Sequence, residues 1–124
     1  MRSWSLIALT GTLLAGCAIQ VNTAGESFGP IVTNECDRPV IAGIGDSVSA
    51  AERDILEEPI TMQPGWRSMV AYVVEHERVP ERVVVLVGVD AAQAAMLTFD
   101  TSDIRNTAVD IVFAADCLTL VMRG

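Results

Sequence analysis

Short apolar segments separated by turn residues are the feature that most constrains the fold of this chain. From residue 31 onward they alternate apolar and polar positions or run continuously in valine and leucine, and turn residues interrupt them about every 8 to 12 positions. This spacing is typical of strands, since helices need at least ~10 residues of helical periodicity. Seven or eight strands are therefore predicted, within residues 31–35, 40–44, 60–62, 67–74, 83–89, 94–100, 108–113 and 117–122.

These strands favour an all-β fold, a small antiparallel β-sandwich of which the immunoglobulin-like arrangement is one form. A tryptophan packed on an inter-sheet cysteine pair, as in antibody domains, is missing from the pattern. Trp66 lies beside a Pro-Gly turn, and Trp4 lies near the amino terminus. The architecture is thus predicted without the antibody family. The first two strands are expected to pair as a hairpin with Cys36 at its bend.

Residues 46–58 leave two alternatives open. Ser49-Ala50-Ala51-Glu52 fits a capping box, which predicts one or two turns of helix. A long acidic loop is the equal alternative, and Pro59 ends either one.

The valine-rich strand at 83–89 raises a second alternative. The alanine-rich residues 91–96 after it could form a helix and make an α/β unit. β-forming residues resume at once, however, and no Gly-rich phosphate loop follows the strand. Residues 90–93 are therefore predicted as a turn and 94–100 as the next strand, and residues 101–107 as a polar connector.

The amino terminus has the parts of an export signal. Arg2 supplies a positive charge, residues 5–14 form an apolar stretch, and Leu14-Ala15-Gly16-Cys17 follows. The stretch is too short for a membrane-spanning helix, which needs roughly 20 apolar residues. The tetrapeptide resembles the lipobox of bacterial lipoproteins. The resemblance implies cleavage just before Cys17 and a diacylglyceryl group, with acyl chains such as palmitate, on the Cys17 thiol.

The same resemblance divides the chain into a signal peptide at residues 1–16, a lipidated tether at 17–30 and one β-sandwich domain at 31–124. Two or three acyl chains anchor a protein stably, because each buried CH₂ contributes about 0.8 kcal/mol. The expected location is the cell envelope, on the exported side of a bacterial membrane. Both the outer leaflet of the plasma membrane and the outer membrane fit.

Cys36 and Cys117 are the two cysteines beyond the anchor. Export places them in an oxidising compartment, where paired thiols form lasting disulfides, so a Cys36–Cys117 bond is predicted. Free thiols and a metal pair are the alternatives. Neither cysteine lies in a Cys-x-x-Cys spacing, which argues against redox catalysis and zinc binding.

Charge restricts the classes of partner. The chain has 16 acidic residues against eight arginines, and its net charge is −8. Nucleic-acid binding depends on neutralising phosphates, so nucleic acid is not an expected partner. An acidic domain also has no affinity of its own for anionic headgroups, so membrane attachment is assigned to the lipid on Cys17.

No pattern for catalysis, a cofactor or a metal stands out. The single histidine, His76, lies between two glutamates in a charged connector, and a metal site there would need further ligands such as Asp100 or Asp103. No serine occupies a Gly-x-Ser-x-Gly motif. The chain is predicted not to be an enzyme. Core filling is predicted for the scattered methionines Met62, Met69, Met96 and Met122.

Trp66 and Arg67 form the candidate interface. Tryptophan and arginine are enriched at binding hot spots, whereas a tryptophan at a tight turn more often covers the end of a sandwich. The predicted function is that of a lipid-anchored envelope protein whose β domain binds protein partners. The alternative is a carrier of a small ligand or metal at the envelope surface.

Overall fold

The computed structural model describes residues 26–123, in which we find ten strands and two short α-helices. These residues divide into two compact units, one of residues 28–72 with 80–123 and one of residues 26–27 with 73–79. The strands are β1 (Ser27–Phe28), β2 (Ile31–Asn34), β3 (Val40–Gly45), β4 (Ile60–Met62), β5 (Arg67–Met69), β6 (Tyr72–Val73), β7 (Arg82–Gly88), β8 (Ala95–Asp100), β9 (Asp110–Phe113) and β10 (Leu120–Met122). The helices are α1 (Val48–Glu57) and α2 (Thr101–Ile104), and a 3₁₀ turn spans Ala91–Gln93. Across this range no helix has the length and apolar character needed to cross a membrane.

The first sheet joins β4, β3, β7 and β8 in that order, and all its neighbouring pairs are antiparallel. The central strand β7 is buried at six of its seven residues. Val83, Val85 and Val87 lie on one face, and Val84 and Leu86 lie on the other, because side chains alternate along a strand. A strand buried on both faces explains the continuous apolar run in the sequence.

Helix α1 covers one face of the first sheet. It begins after Ser47, whose hydroxyl accepts a hydrogen bond from the backbone N–H of Ala50. Its buried residues Ala51 and Ile55 belong to the same apolar cluster as Val84 and Leu86 of β7. A helix of ten residues is marginally stable by itself, so packing against the sheet stabilises α1.

Two glycines of β3 allow α1 to approach the sheet this closely. A Cβ on Gly43 would lie 2.6 Å from the backbone nitrogen of Ile55, and one on Gly45 would lie 2.5 Å from that of Ala51. The helix adds a specific contact, because the Asp54 carboxylate accepts from the N–H of Ile44 at 2.9 Å.

Gly45→Ala is expected to lower the free energy of unfolding by about 2 kcal/mol, because the added methyl pushes α1 off β3. Gly65→Ala is the matched control. Gly65 has a φ of +83° and nothing within 4 Å of an added Cβ, so alanine there costs only the conformational term of about 1 kcal/mol. Urea unfolding of both variants measures the difference. An equal loss in both would contradict close helix docking.

The second sheet joins β10, β9, β2 and β5 in that order. β2 pairs antiparallel with β5 but parallel with β9, so the sheet is mixed. Val32 of β2 lies opposite Ile111 of β9, and both side chains are fully buried. A parallel pair requires a crossover connection, and here the chain between the two strands forms the whole first sheet. β1 pairs with β6 in a separate two-stranded sheet.

The smaller unit contains a tight hairpin turn. Glu75 and Arg78 form an antiparallel bridge, and the N–H of Arg78 donates to the Glu75 carbonyl at 3.0 Å. His76 and Glu77 between them have φ values of 55° and 56°. Positive φ at both central residues is the signature of a type I′ turn. The charged connector expected from the sequence is thus a defined turn.

The prediction of a β-rich domain is confirmed, and each predicted strand coincides with at least one observed strand. Neither four-stranded sheet closes on itself. Residues 48–57 form a helix rather than an acidic loop, but its cap is Ser47 and not Ser49. Residues 90–93 form a turn and 95–100 a strand, as predicted.

Four expectations were wrong. Strands β2 and β3 belong to different sheets, so they do not form a hairpin around Cys36. The strand predicted at 67–74 is interrupted between β5 and β6. The polar connector at 101–107 contains α2, because Thr101 and Ile104 are buried. The sheets are also not purely antiparallel, since β2 and β9 run parallel. Each error concerns long-range pairing or burial, which local patterns do not report.

Candidate functional site

A buried asparagine organises one end of the second sheet. Asn34 ends β2, and its side chain is fully buried. Its side-chain nitrogen donates to the carbonyls of Arg38 at 2.9 Å and Met62 at 3.2 Å, and its side-chain oxygen accepts from the N–H of Cys36 at 2.9 Å. One side chain therefore satisfies three main-chain groups that burial would otherwise leave costly.

The predicted disulfide lies directly beside this asparagine. Cys36 and Cys117 are bonded, with their Cα atoms 5.0 Å apart, and both are buried. The Asp37 carboxylate lies 3.6 Å from the Cys117 sulfur, and ligand atoms of these three residues all lie within 4.8 Å of one another. The two sulfurs are joined to each other and are not thiolates, so the cluster has a structural role here and not that of a metal centre.

Trp66 lies at the same end, on the turn that leads into β5. Its N–H donates to the Gln63 carbonyl, and its own carbonyl accepts from the N–H of Asn34 at 2.9 Å. The main chain of Trp66 is therefore fixed to β2 on one side and to its own turn on the other. Its side chain is nonetheless 56% exposed.

Leu118 reaches this end through the pairing of neighbouring strands. The N–H of Glu35 donates to the Phe113 carbonyl, and the N–H of Ala114 donates to the Thr119 carbonyl. The turn at 114–119 therefore lies next to the residues that follow β2, and the disulfide makes the same link. Leu118 is 61% exposed. We refer to Trp66, Leu118 and the Cys36–Cys117 bond together as the disulfide end.

Asp116 shapes the turn that presents Leu118. Its carboxylate accepts from the backbone N–H groups of Leu118 and Thr119, each at 2.9 Å, and from the Thr119 hydroxyl. The Thr119 hydroxyl and these backbone donors hold the pKa of Asp116 below its usual value. The carboxylate therefore stays ionised to a lower pH than a free aspartate, and the turn keeps these bonds over that wider range. Cys117 within it has a φ of +61°.

Arg67 lies on the open face of the second sheet and is ion-paired. Its guanidinium donates to the Asp110 carboxylate at 2.9 Å, across the intervening strand β2. Arg123 and Glu35 form a second pair at 2.9 Å. All four side chains are more than a third exposed, so each pair contributes only about 0–1 kcal/mol. Their main effect is to neutralise charge near Trp66, and they add little to the stability of the fold.

The other residues singled out in the sequence are dispersed. His76 occupies the tip of the hairpin turn in the smaller unit. In the larger unit, Asp100 pairs with Arg82 at 3.5 Å, and Asp103 lies in α2. Cys17 lies outside the described residues. Met62 fills the core as expected, but three other methionines are about half exposed, namely Met69, Met96 and Met122.

No family model, curated protein or solved structure matches this chain.

The sequence analysis did not identify two residues at this end of the second sheet, Asn34 beside the disulfide and Leu118 of the disulfide end. In the sequence, Asn34 is a polar residue near the end of a predicted strand. Its burial depends on β4, whose Met62 comes 28 residues later in the chain. Leu118 alternates with Thr119 in the sequence like a core position, but it lies on a turn and not in a strand. An apolar residue one position after a cysteine carries no local signal of exposure.

Proposed function

We propose that this chain is a lipid-anchored cell-envelope protein whose small β domain binds protein partners. The observation that carries the proposal is the exposure of two large apolar side chains, Trp66 and Leu118, at the disulfide end. Isolated apolar side chains are common on protein surfaces. Here two of them lie on turns held at one end of the same sheet, and one is tryptophan, the residue type most enriched at binding hot spots.

The rigidity of the base under these side chains supports the same proposal. The disulfide, the buried Asn34 and the Asp116 turn hold the main chain beneath Trp66 and Leu118. A preorganised surface loses little conformational entropy on binding, so more of the contact energy appears as affinity. The ion pair of Arg67 with Asp110 lowers the net charge that a partner must desolvate there.

The architecture proposed for this domain is an open β-sandwich in which the two four-stranded sheets face one another. Alternation supports it, because Val83, Val85 and Val87 of β7 lie on the face away from α1 and are fully buried. Val32 and Ile111 of the second sheet are fully buried as well. The bond from Asn34 of β2 to the Met62 carbonyl of β4 joins the two sheets directly.

The anchor is proposed from the amino-terminal residues. Leu14-Ala15-Gly16-Cys17 resembles a lipobox, and the described residues carry 16 acids against seven arginines, a net charge of −9. A domain of that charge is repelled by anionic headgroups. The lipid on Cys17 would therefore hold the chain at the membrane while the domain remains available to proteins.

Cross-linking in intact cells, followed by mass spectrometry, tests the proposed interface. Trp66→Ala is expected to reduce capture of the dominant partner by at least tenfold, because truncating a hot-spot tryptophan costs about 2 kcal/mol or more. The matched control is Leu56→Ala on α1. Leu56 is 70% exposed, so the variant removes comparable apolar surface away from the disulfide end.

A separate variant, Cys17→Ser, tests the lipid anchor. Cys17→Ser is expected to lose incorporation of labelled palmitate, because serine has no thiol to carry the diacylglyceryl group. Equal capture by Trp66→Ala and the unmodified chain would contradict the interface. Incorporation of labelled palmitate by Cys17→Ser equal to that by the unmodified chain would contradict the lipid anchor, whatever the outcome at Trp66.

A further inference from the structure

The four edge strands of the two sheets are not alike. β4 and β8 end the first sheet, and β5 and β10 end the second. Three of them have three residues each, whereas β8 has six. Proteins keep edge strands short or place charges on them, because an unpaired edge is a template for another strand. Of these four edge strands, β8 is the one that is not short.

β8 largely lacks the second protection as well. Ala95 to Phe99 contains no charged residue, and only Asp100 at the end of the strand is ionisable. Met96 is 51% exposed, and Thr98 is exposed. Within residues 26–123, β8 has β7 as its one hydrogen-bonded strand neighbour. Half of its main-chain donors and acceptors therefore face away from the sheet.

Acidic residues lie at both ends of this edge. Asp90 precedes the 3₁₀ turn before β8, and Asp100 and Asp103 lie where β8 ends and α2 begins; all three are exposed. Asp100 is paired with Arg82 at 3.5 Å. An arriving strand would therefore meet an uncharged middle between two negative ends.

We propose that the free edge of β8 binds an extended segment of a partner protein, with an uncharged β-forming middle and basic residues at its ends. The main-chain groups of β8 would extend the first sheet by one strand, and Asp90, Asp100 and Asp103 would attract the basic ends. This site lies on the first sheet, so it goes beyond the interface proposed at the disulfide end of the second sheet and does not rest on it.

Charge argues against a second copy of the chain as the occupant. In an antiparallel pair of β8 strands, the end bearing Asp100 and Asp103 would meet the end bearing Asp90 of the other copy. Acidic residues would then face acidic residues at both ends, and each copy carries a net charge of −9 over the described residues. Like charges brought together in this way oppose association.

The test uses a fluorescent peptide of alternating threonine and valine with a lysine at each end, titrated into the full chain and followed by anisotropy. Thr98→Lys is expected to weaken binding at least tenfold, because it places a cation on the β8 edge. The matched control is Thr61→Lys, at an exposed position on β4, the opposite edge of the same sheet. It is expected to bind like the unmodified chain. A peptide with proline at every position between its two lysines has no N–H donors in its uncharged middle and should bind at least tenfold more weakly.

Three outcomes would overturn the proposal. Equal binding of the proline peptide would show electrostatic attachment without strand pairing. Equal weakening by Thr61→Lys and Thr98→Lys would place the peptide elsewhere. Peptide-independent dimerisation that Thr98→Lys abolishes would assign the edge to a second copy of the chain. None of these results bears on Trp66, whose capture experiment stands separately.

Discussion

Replacing both Cys36 and Cys117 with alanine is expected to lower the free energy of unfolding by about 4.5 kcal/mol. The bond joins residues 81 positions apart, and its main effect in the chain-entropy model is to restrict the unfolded chain across that whole loop. Alanine is the appropriate replacement, because both cysteines are buried and a serine hydroxyl there would need a partner. For a domain of this size, such a loss is a large share of the total stability.

Urea unfolding of the double variant and of the unmodified chain measures this loss. The unmodified chain in the presence of a thiol reductant is the control, since it breaks the same bond without changing a residue. Both samples are expected to show a lower midpoint and a steeper dependence on urea, because an unlinked unfolded chain exposes more surface. A loss below about 1 kcal/mol in both samples would mean that the bond contributes little to the fold.

Asn34→Ala is expected to lower the free energy of unfolding by about 3 kcal/mol. The substitution leaves the carbonyls of Arg38 and Met62 and the N–H of Cys36 without their side-chain partner, and buried polar groups cost about 1–3 kcal/mol each when unsatisfied. Water entering the vacated space would recover part of that cost. The disulfide is retained, so the loss reports on the asparagine alone.

The comparison variant for Asn34 is Thr33→Ala, one residue earlier on β2. Thr33 is half-buried and lies on the opposite face of the strand, so its truncation is expected to cost less than about 1 kcal/mol. Thermal and urea unfolding of both variants decide between a structural centre at Asn34 and a general sensitivity of β2. Similar losses in the two variants would remove the special role of Asn34.

Much of the local structure could be predicted because it depends on neighbours in the chain. The valine run of β7 and the turn at residues 90–93 were predicted close to where they occur. The sequence predicts a helix or an acidic loop at residues 46–58, and its capping box at Ser49 and Glu52 differs from the observed cap, Ser47. Caps one or two residues apart offer similar local hydrogen bonds, so packing of Ala51 and Ile55 on β7 selects the boundary.

The candidate site was predictable only in part. Trp66 was singled out from its residue type and its turn, and the structure leaves it more than half exposed. Arg67 was paired with it by sequence adjacency, but its partner Asp110 comes from 43 residues away. The β8 edge carried no signal in the sequence, because whether a strand is central or at an edge depends on which others join the sheet.

The sequence by itself determined the strand-rich character of the domain, its acidic charge and the lipobox-like segment ending at Cys17, while the Cys36–Cys117 bond was a prediction that the structure confirmed. These follow from residue types and their local spacing. Only the tertiary structure decided that β2 runs parallel to β9, that Asn34 is buried and that β8 has β7 as its one strand neighbour within residues 26–123. The reason is physical: alternation reports which face of a strand is apolar, but the identity and direction of its neighbours depend on the packing of distant segments.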